Sequence, residues 1–472
     1  MAPASAAGTA PFALRASACP GLLRIVAAGD GGLCRIKLPG GALSTAQAFA
    51  IADAAQAHAS GVIEATNRAN LQLRGIRAGH ESALTERLLA AGLGPGNLPD
   101  TTRADTWRAA ADDVRNLMIS PTAGRDLQAL IDTTDLASQI LTLLQTETRF
   151  AALSPKFALL LDGGERLAML EHPHDIWLAA MPTGDGPQFA FGLAGCPPVA
   201  LQHASALAAV LPSQVPTLIG ALLHTFLDCA APDAKRMRDL LAVHPAQAVL
   251  QHVEARVDFP LLRGPQIAAW RRPPADAARC FGAHPQRVAG TWHVGGRPPL
   301  GRIDAPMLRD LASLARDAGN GTLRITPWQS VLFPDIATEA VPSVLARLSA
   351  SGLACERTQP SARLIACVGS AGCAKGFADT QSDARQLAAR LPAAAEVHLS
   401  GCERSCAAAR RVPFTLLAVA PGRYDLYQRA DAAEAHAQAE ANGGFGACIA
   451  RHLTIEQAAD LLDRLARSPL DA

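Results

Sequence analysis

Residues 43–66, LSTAQAFAIADAAQAHASGVIEAT, lie without a gap over residues 303–326, IDAPMLRDLASLARDAGNGTLRIT, at a fixed offset of 260. Identities are few (Ala52/Ala312, Ala55/Ala315, Gly61/Gly321, Thr66/Thr326), but the roles match. Ser44 with Gln47 reads as a capping box, and its counterpart Asp304 reads as an N-cap followed by Pro306 in the first helical turn. Each cap opens a helix of similar length that stops before a glycine. Each helix is followed by a strand-like run ending in the matched threonine. The pattern predicts a duplicated helix–strand unit; the alternative is two unrelated units that happen to align.

Two larger blocks lie between and after these units. The first holds a helical pattern, LASQILTLLQTE, then the short apolar runs KFALLLDGG, AMLEH and IWLAAM, which read as strands. The second runs RLIACVGS, a helix from Ser382 to Leu391, EVHLSG, FTLLAV, YDLYQ, and a last helix opened by a Thr454/Gln457 box. The Pro- and Arg-rich stretch from Trp270 to Gly290 is the natural junction of the two halves. The expected organisation is a flexible leader (1–20), a small half-domain (21–110), an α/β domain (111–269), a second half-domain (270–360) and a second α/β domain (361–472). The fold class is α+β with a pseudo-twofold plan.

The chain is long enough for several cores. Lys and Arg total 43 against 42 Asp and Glu, so no global field draws it to nucleic acid or an anionic membrane. No run approaches the ~18 apolar residues of a spanning helix, and the N-terminus lacks the basic start and apolar core of a signal peptide. A cytoplasmic protein is expected, in which clustered cysteines bind metal more readily than they pair as disulfides.

Of 11 cysteines, four form a set: Cys367 and Cys373 as C-x5-C, Cys402 and Cys406 as C-x3-C within GCERSC. The second spacing puts both thiols on one face of a helical turn. Both pairs sit in segments rich in Gly, Ser and charge, unlike buried apolar cysteines. Four thiolates from two loops suit an iron–sulfur cube; zinc is the rival, although x5 fits its usual ligand spacing poorly. A cationic set accompanies them. In TNRANLQLRGI, alternation puts Leu71 and Leu73 on one face and Arg68, Asn70, Gln72 and Arg74 on the other. Arg115, in DVRNLMISPTAGRD, and Lys156, in LSPKFALLLDGG, flank apolar strands. Arginine forks at such places bind carboxylates, or form an ordinary solvated face. EHPHD (Glu171, His172, His174, Asp175) is a weak mixed-ligand candidate for an additional non-haem iron. GDGGLC lacks the spacing of a dinucleotide fingerprint.

The stretch Thr66, Arg68, Gln72, the Arg115–Asn116 pair, the P-K-F segment at 155–157 and the four-cysteine set resemble the sulfite and nitrite reductase family, from about residue 21 to the end. The resemblance implies paired ferredoxin-like half-domains alternating with larger α/β domains. It implies a [4Fe-4S] cluster on Cys367, Cys373, Cys402 and Cys406, with Cys406 at the position that touches a sirohaem iron. It also implies that Arg68, Arg115 and Lys156 bind tetrapyrrole carboxylates, a role to which their neighbours Gln72 and Arg74 are added. Two departures stand out: Lys156-Phe157-Ala158 where the reductases usually read K-F-K, and GCERSC where they usually read GCPNGC. With SPTAGRD, ACVGSAGCAKGFADT and LSGCERSCA, they resemble the precorrin-3B synthase branch. That branch implies an NADH- and O2-dependent monooxygenase that hydroxylates precorrin-3A at C20 with lactone formation, electrons arriving from a separate NADH-dependent donor. A sirohaem-dependent nitrite or sulfite reductase is the second expectation, and a non-catalytic iron–sulfur carrier or tetrapyrrole-binding protein the third.

Overall fold

The helix caps read from the sequence are present in the computed structural model of the chain, which describes residues 19–96, 104–393, 395–408, 412–429 and 445–467. Most of the expected leader lies outside the described residues. Helices Thr45–His58 and Ala305–Ala318 begin 260 residues apart and have equal length. Ser44 and Gln47 form the reciprocal box, Ser44 Oγ accepting from the Gln47 amide at 3.2 Å and Gln47 Oε1 from the Ser44 amide at 3.1 Å. Asp304 Oδ1 accepts from the Met307 amide at 2.7 Å. The correspondence extends beyond the echo to strands Gly31–Ile36 and Thr291–Gly296, and to helices Glu81–Ala90 and Val341–Ala350.

Each half-domain finishes its sheet with a strand from the other. The first sheet runs Val26–Ala28, Gly31–Ile36, Leu71–Ile76, Val62–Ala65 and then Arg302–Asp304; the second runs Gly282–Pro285, Thr291–Gly296, Val331–Ala337, Thr322–Ile325 and then Ala42–Ser44. The exchanged pairings are antiparallel, with Ile303 opposite Ile63 and Leu43 opposite Leu323. Two equivalent bonds seal the crossing, Thr45 N–H to Gly321 O (3.0 Å) and Ala305 N–H to Gly61 O (3.1 Å). The helices meet across one core that includes Ile51, Ala52 and Ala55 from one half and Leu308, Leu311 and Ala315 from the other. Neither half can bury its apolar helix face alone, so the halves fold as one body.

The two larger blocks are also copies. In the first, strands run in the order Ala208–Val210, Gln188–Gly195, His174–Met181, Leu159–Asp162, Leu117–Ile119; in the second the matching order is Ala447–Leu453, Arg423–Gln428, Phe414–Ala420, Val397–Ser400, Leu364–Ala366. In both, the first three strands along the chain are parallel and the last two antiparallel.

Three local expectations change. AMLEH (168–172) is not a strand; the chain bends there before strand His174–Met181 begins. The helix expected over 382–391 spans Thr380–Ala388, because the Asp379 side chain caps it by accepting from the Ser382 amide at 3.1 Å. GCERSC is a turn, not a helical turn: Ser405 is left-handed (φ +50°), so the two thiols are presented by a loop.

Gly41 sits left-handed (φ +67°) where the exchanged strand enters, and a Cβ there would lie 1.8 Å from the Ile325 carbonyl oxygen. Gly61 is equally left-handed (φ +81°) with nothing within 4 Å. Gly61→Ala should therefore cost about 1–2 kcal/mol, and Gly41→Ala roughly 3 kcal/mol or more, because a fixed backbone oxygen must move. Denaturant midpoints measure the difference; equal midpoints would contradict the exchanged-strand packing.

Candidate functional site

Strands Leu364–Ala366 and Val397–Ser400 are parallel neighbours, so the loops leaving their carboxyl ends lie side by side. Ligands of open α/β sheets gather at such ends. One loop carries Cys367 and Cys373, the other Cys402 and Cys406. Glycines bring the loops into contact. The Gly401 amide donates to Cys367 Sγ at 3.1 Å, and a Cβ on Gly401 would lie 3.3 Å from the Gly376 Cα and 3.4 Å from the Gly369 Cα. Burial pushes the Cys406 thiol up, and the neighbouring thiols of Cys402, Cys367 and Cys373 push it further. Four thiols in mutual electrostatic contact favour deprotonation only when a cationic centre offsets their repulsion. The donor set and the N–H···S bond fit an iron–sulfur group. As placed, no group of three or more His, Cys, Asp or Glu side chains among the described residues stands at metal-holding spacing.

The segment 66–76 of the first half-domain crosses these loops. Asn67 Nδ2 donates to the Cys406 carbonyl at 3.1 Å, and Arg74 Nη2 to the Gly372 carbonyl at 2.6 Å. Between them, Arg68 stands in a cluster of cations with Arg35 and Arg236. Burial lowers its guanidinium to about 10, helped by the charges of Arg35 and Arg236, and among the described residues its side chain has no hydrogen-bond or ion-pair partner. Arg35, directly opposite Gln72 in the sheet, is also pushed down by burial. With its amide turned so that the oxygen faces Arg35, Gln72 accepts from that guanidinium at 2.9 and 3.3 Å.

The first block brings two histidines within electrostatic reach of this cluster. His172 Nδ1 lies 3.4 Å from His174 Nε2, both rings are buried, and both are held neutral. Burial is the main cause, with Arg68 and Arg236 adding repulsion; His172 falls to about 3 and His174 well below its ordinary value. Asp175 accepts from Arg236 Nε (2.9 and 3.0 Å) and from the Met237 and Ala158 amides (2.7 and 2.8 Å). That carboxylate is saturated, and Glu171 is exposed, so EHPHD does not assemble the mixed iron site its composition suggests.

The sequence-derived cations separate into two groups. Arg68 and Gln72 stand half-buried in the cationic cluster with Arg35, and Lys156 is exposed with no side-chain partner among the described residues. Arg74, 5% exposed, is committed to Asp30 (2.9 Å twice) and Gly372. Arg115 spends its donors on Asp112 and on the Gly94, Leu93 and Lys37 carbonyls. Its neighbour Asn116 donates to the Pro155 and Phe157 carbonyls at 2.7 and 3.1 Å, which ties the R-N pair to the P-K-F segment. Arg35 escaped the sequence reading; the alternation of Cys34 and Ile36 against Arg35 would have placed it on the polar face.

The chain is similar to known proteins over most of its length. The nitrite/sulfite reductase ferredoxin-like half domain matches residues 26–91 and again 284–351, and the nitrite and sulphite reductase 4Fe-4S domain matches 110–261, together more than half of the chain. The chain belongs to the nitrite and sulfite reductase family. The 4Fe-4S match falls on the block without the four clustered cysteines, as expected where both blocks are copies of one plan. Similarity extends to the chloroplastic ferredoxin–nitrite reductase of Oryza sativa subsp. japonica, 27% identical over 79% of this chain but only 64% of that protein. The ferredoxin–nitrite reductase of Synechococcus elongatus is 28% identical over 79% and 73%. Precorrin-3B synthase from Sinorhizobium sp is 25% identical over 97% of this chain and 90% of its own length. The Mycobacterium tuberculosis NirA structure shares the fold, with a TM-score of 0.71 at 21% identity over 93% and 82% of the two chains. No helix among the described residues is long and apolar enough to cross a membrane.

The buried histidines give this family member a pH signature. With the folded pKa of His172 below its unfolded value, the unfolded chain binds the extra proton, so stability is full above about pH 6.5 and falls as pH drops toward 3. His172 alone should cost about 2 kcal/mol between pH 7 and pH 5. Denaturant titrations at the two pH values should show this loss and its reduction in His172→Gln; the same slope in both proteins would place the proton uptake elsewhere.

Proposed function

We propose that the chain is an oxygen-dependent hydroxylase of the precorrin-3B synthase type, converting precorrin-3A to precorrin-3B by hydroxylation at C20 with lactone formation. The observation that carries the reading is the near end-to-end similarity to precorrin-3B synthase, where the nitrite reductases align over a smaller share of both chains. The cleft supports it chemically. Arg35 and Arg68 offer guanidiniums to a macrocycle rich in acetates and propionates. Lys156 offers a further, exposed charge. Gln72 holds the Arg35 fork, and the neutral His172–His174 pair keeps the adjacent wall free of additional positive charge.

In this reading Cys367, Cys373, Cys402 and Cys406 hold a [4Fe-4S] cluster, which supplies electrons singly. The electrons come from NADH through a separate donor protein. One oxygen atom of O2 enters the substrate, and the other leaves as water with two electrons and two protons. A sirohaem-dependent nitrite reductase is the second reading, favoured by the several ferredoxin–nitrite reductases among the relatives. Glu403 and Arg404, both exposed beside the thiols, and the buried Ala158 distinguish the chain from the reductases' usual pattern.

Purified protein should show a broad iron–sulfur shoulder, and acid-acetone extraction should yield no macrocycle; stoichiometric extractable sirohaem would favour the reductase. Incubation with precorrin-3A, a reductant and isotopically labelled dioxygen should add one labelled atom by mass spectrometry. No incorporation by cluster-loaded protein would refute the hydroxylase. Cys402→Ser or Cys406→Ser should abolish the iron–sulfur absorbance, and unchanged iron content would mean that other ligands hold it. Arg68→Ala should weaken tetrapyrrole binding by about 2–5 kcal/mol while the cluster stays. Arg115→Ala should instead lower folding stability, by about 3 kcal/mol or more, because it strands the buried Asp112. Binding isotherms and melts separate the two roles.

A further inference from the structure

The internal duplication provides its own control for what the segment 66–76 does. At the offset of 260, the turn of the first half-domain has an exact partner in the second. Thr66 N–H bonds Asn70 O and Thr326 N–H bonds Ser330 O, both at 2.9 Å, and Ala69 and Gln329 are both left-handed (φ 57° and 61°). Within this shared backbone, Asn67 and Arg74 correspond to Pro327 and Pro334. Proline has no side-chain donor, so the half-domain facing the cysteine-free loop lacks both groups. The half-domain facing the thiols has both, and both donate to carbonyls of the cysteine loops.

We propose that Asn67 and Arg74 are positioning residues for the four-thiolate centre: Arg74 fixes the loop between Cys367 and Cys373 through the Gly372 carbonyl, and Asn67 fixes the C-x3-C loop through the Cys406 carbonyl. Arg74 brings a fork pre-aligned by Asp30, its Nε and Nη2 each 2.9 Å from that carboxylate while Nη2 also meets Gly372. The Gly29 amide donates to the same Gly372 carbonyl at 3.3 Å. Gly372 has no room for a side chain: a Cβ would lie 2.8 Å from Arg74 Nη2 and 2.9 Å from Asp30 Oδ2. On the cysteine-free side the equivalent loop has the matching backbone bond, Arg287 N–H to Arg125 O at 2.7 Å, but its side-chain clamp is the Arg125–Asp335 ion pair at 3.0 Å. The assignment changes the role of Arg74 from a carboxylate binder of the cleft to a buried cation behind the thiols. A buried positive charge there favours the more negative, reduced state of a cluster.

The inference rests on the four-thiolate reading, and the test separates the two. Holoprotein is purified as wild type, Asn67→Ala, Arg74→Gln, Arg74→Lys and Arg125→Gln. Each is assayed for iron and sulfide per chain, for midpoint potential by EPR-monitored redox titration, and for the rate of iron loss to a chelator. Arg74→Gln should shift the potential to more negative values and lose iron about 10- to 100-fold faster. Arg74→Lys, which keeps the charge but not the fork, should hold its potential near wild type while losing iron faster. Asn67→Ala should accelerate iron loss with a smaller change in potential. Arg125→Gln, which cuts the clamp on the cysteine-free side, should match wild type in potential and iron loss even where its melting point falls. Wild-type potential and iron-loss rate in both Arg74→Gln and Asn67→Ala, at full cluster content, would overturn the positioning role. A wild-type protein without iron and sulfide would overturn the four-thiolate reading itself.

Discussion

The exchange of one short strand between the half-domains is the constraint on which the rest depends. Ala42–Ser44 and Arg302–Asp304 each belong to one unit by sequence and to the other by sheet. Each starts the helix that packs in the shared core. This crossing fixes the two halves about a pseudo-twofold relation, and each half then reaches a loop of the opposite block. The first half-domain thereby lies over the cysteine loops, and its polar strand face is turned toward the histidines of the first block. A cleft bounded by three parts of the chain needs such a rigid centre, because a misplacement of about 1 Å can cost a hundredfold in rate.

Function in a duplicated frame requires that the copies diverge, and the divergence is local. Arg68 on the cleft side corresponds to Trp328, a cation exchanged for an apolar ring in the same backbone turn. The block that carries no clustered thiols fills the equivalent strand ends with buried ion pairs. Asp162 meets Arg272 at 2.6 Å, both 2% exposed or less, and Asp126 meets Arg166 at 3.0 Å. Burial, with the Asp162 charge beside it, raises Glu165 well above its ordinary value. Arg272 comes from the Pro- and Arg-rich junction and anchors its start in the first block.

What was legible in the sequence was local. Caps at Ser44, Asp304 and Thr454, and the alternation of Leu71 and Leu73, depend on residues a few positions apart, and they hold in three dimensions. The strand exchange was illegible because its partners, such as Ile63 with Ile303 and Leu43 with Leu323, lie far apart along the chain and no residue type marks them. Alternation placed Arg68 and Arg74 on one face but could not say that one meets a cleft and the other a backbone carbonyl. Arg115 looked like a free guanidinium because, besides Asp112 three residues before it, its acceptors are main-chain oxygens, which leave no trace in residue identity. GCERSC looked helical by spacing alone; the left-handed Ser405 defeats that inference, as such conformations are rarely encoded outside glycine.

In the proposed enzyme, four thiolates and a cationic macrocycle site share one wall, segment 66–76. Iron-edge anomalous diffraction from crystals of the holoprotein soaked anaerobically with precorrin-3A tests it most directly. The account predicts iron density enclosed by Cys367, Cys373, Cys402 and Cys406, with macrocycle carboxylates against Arg35 and Arg68. Iron bound away from these cysteines, or a macrocycle seated away from that wall, would contradict it.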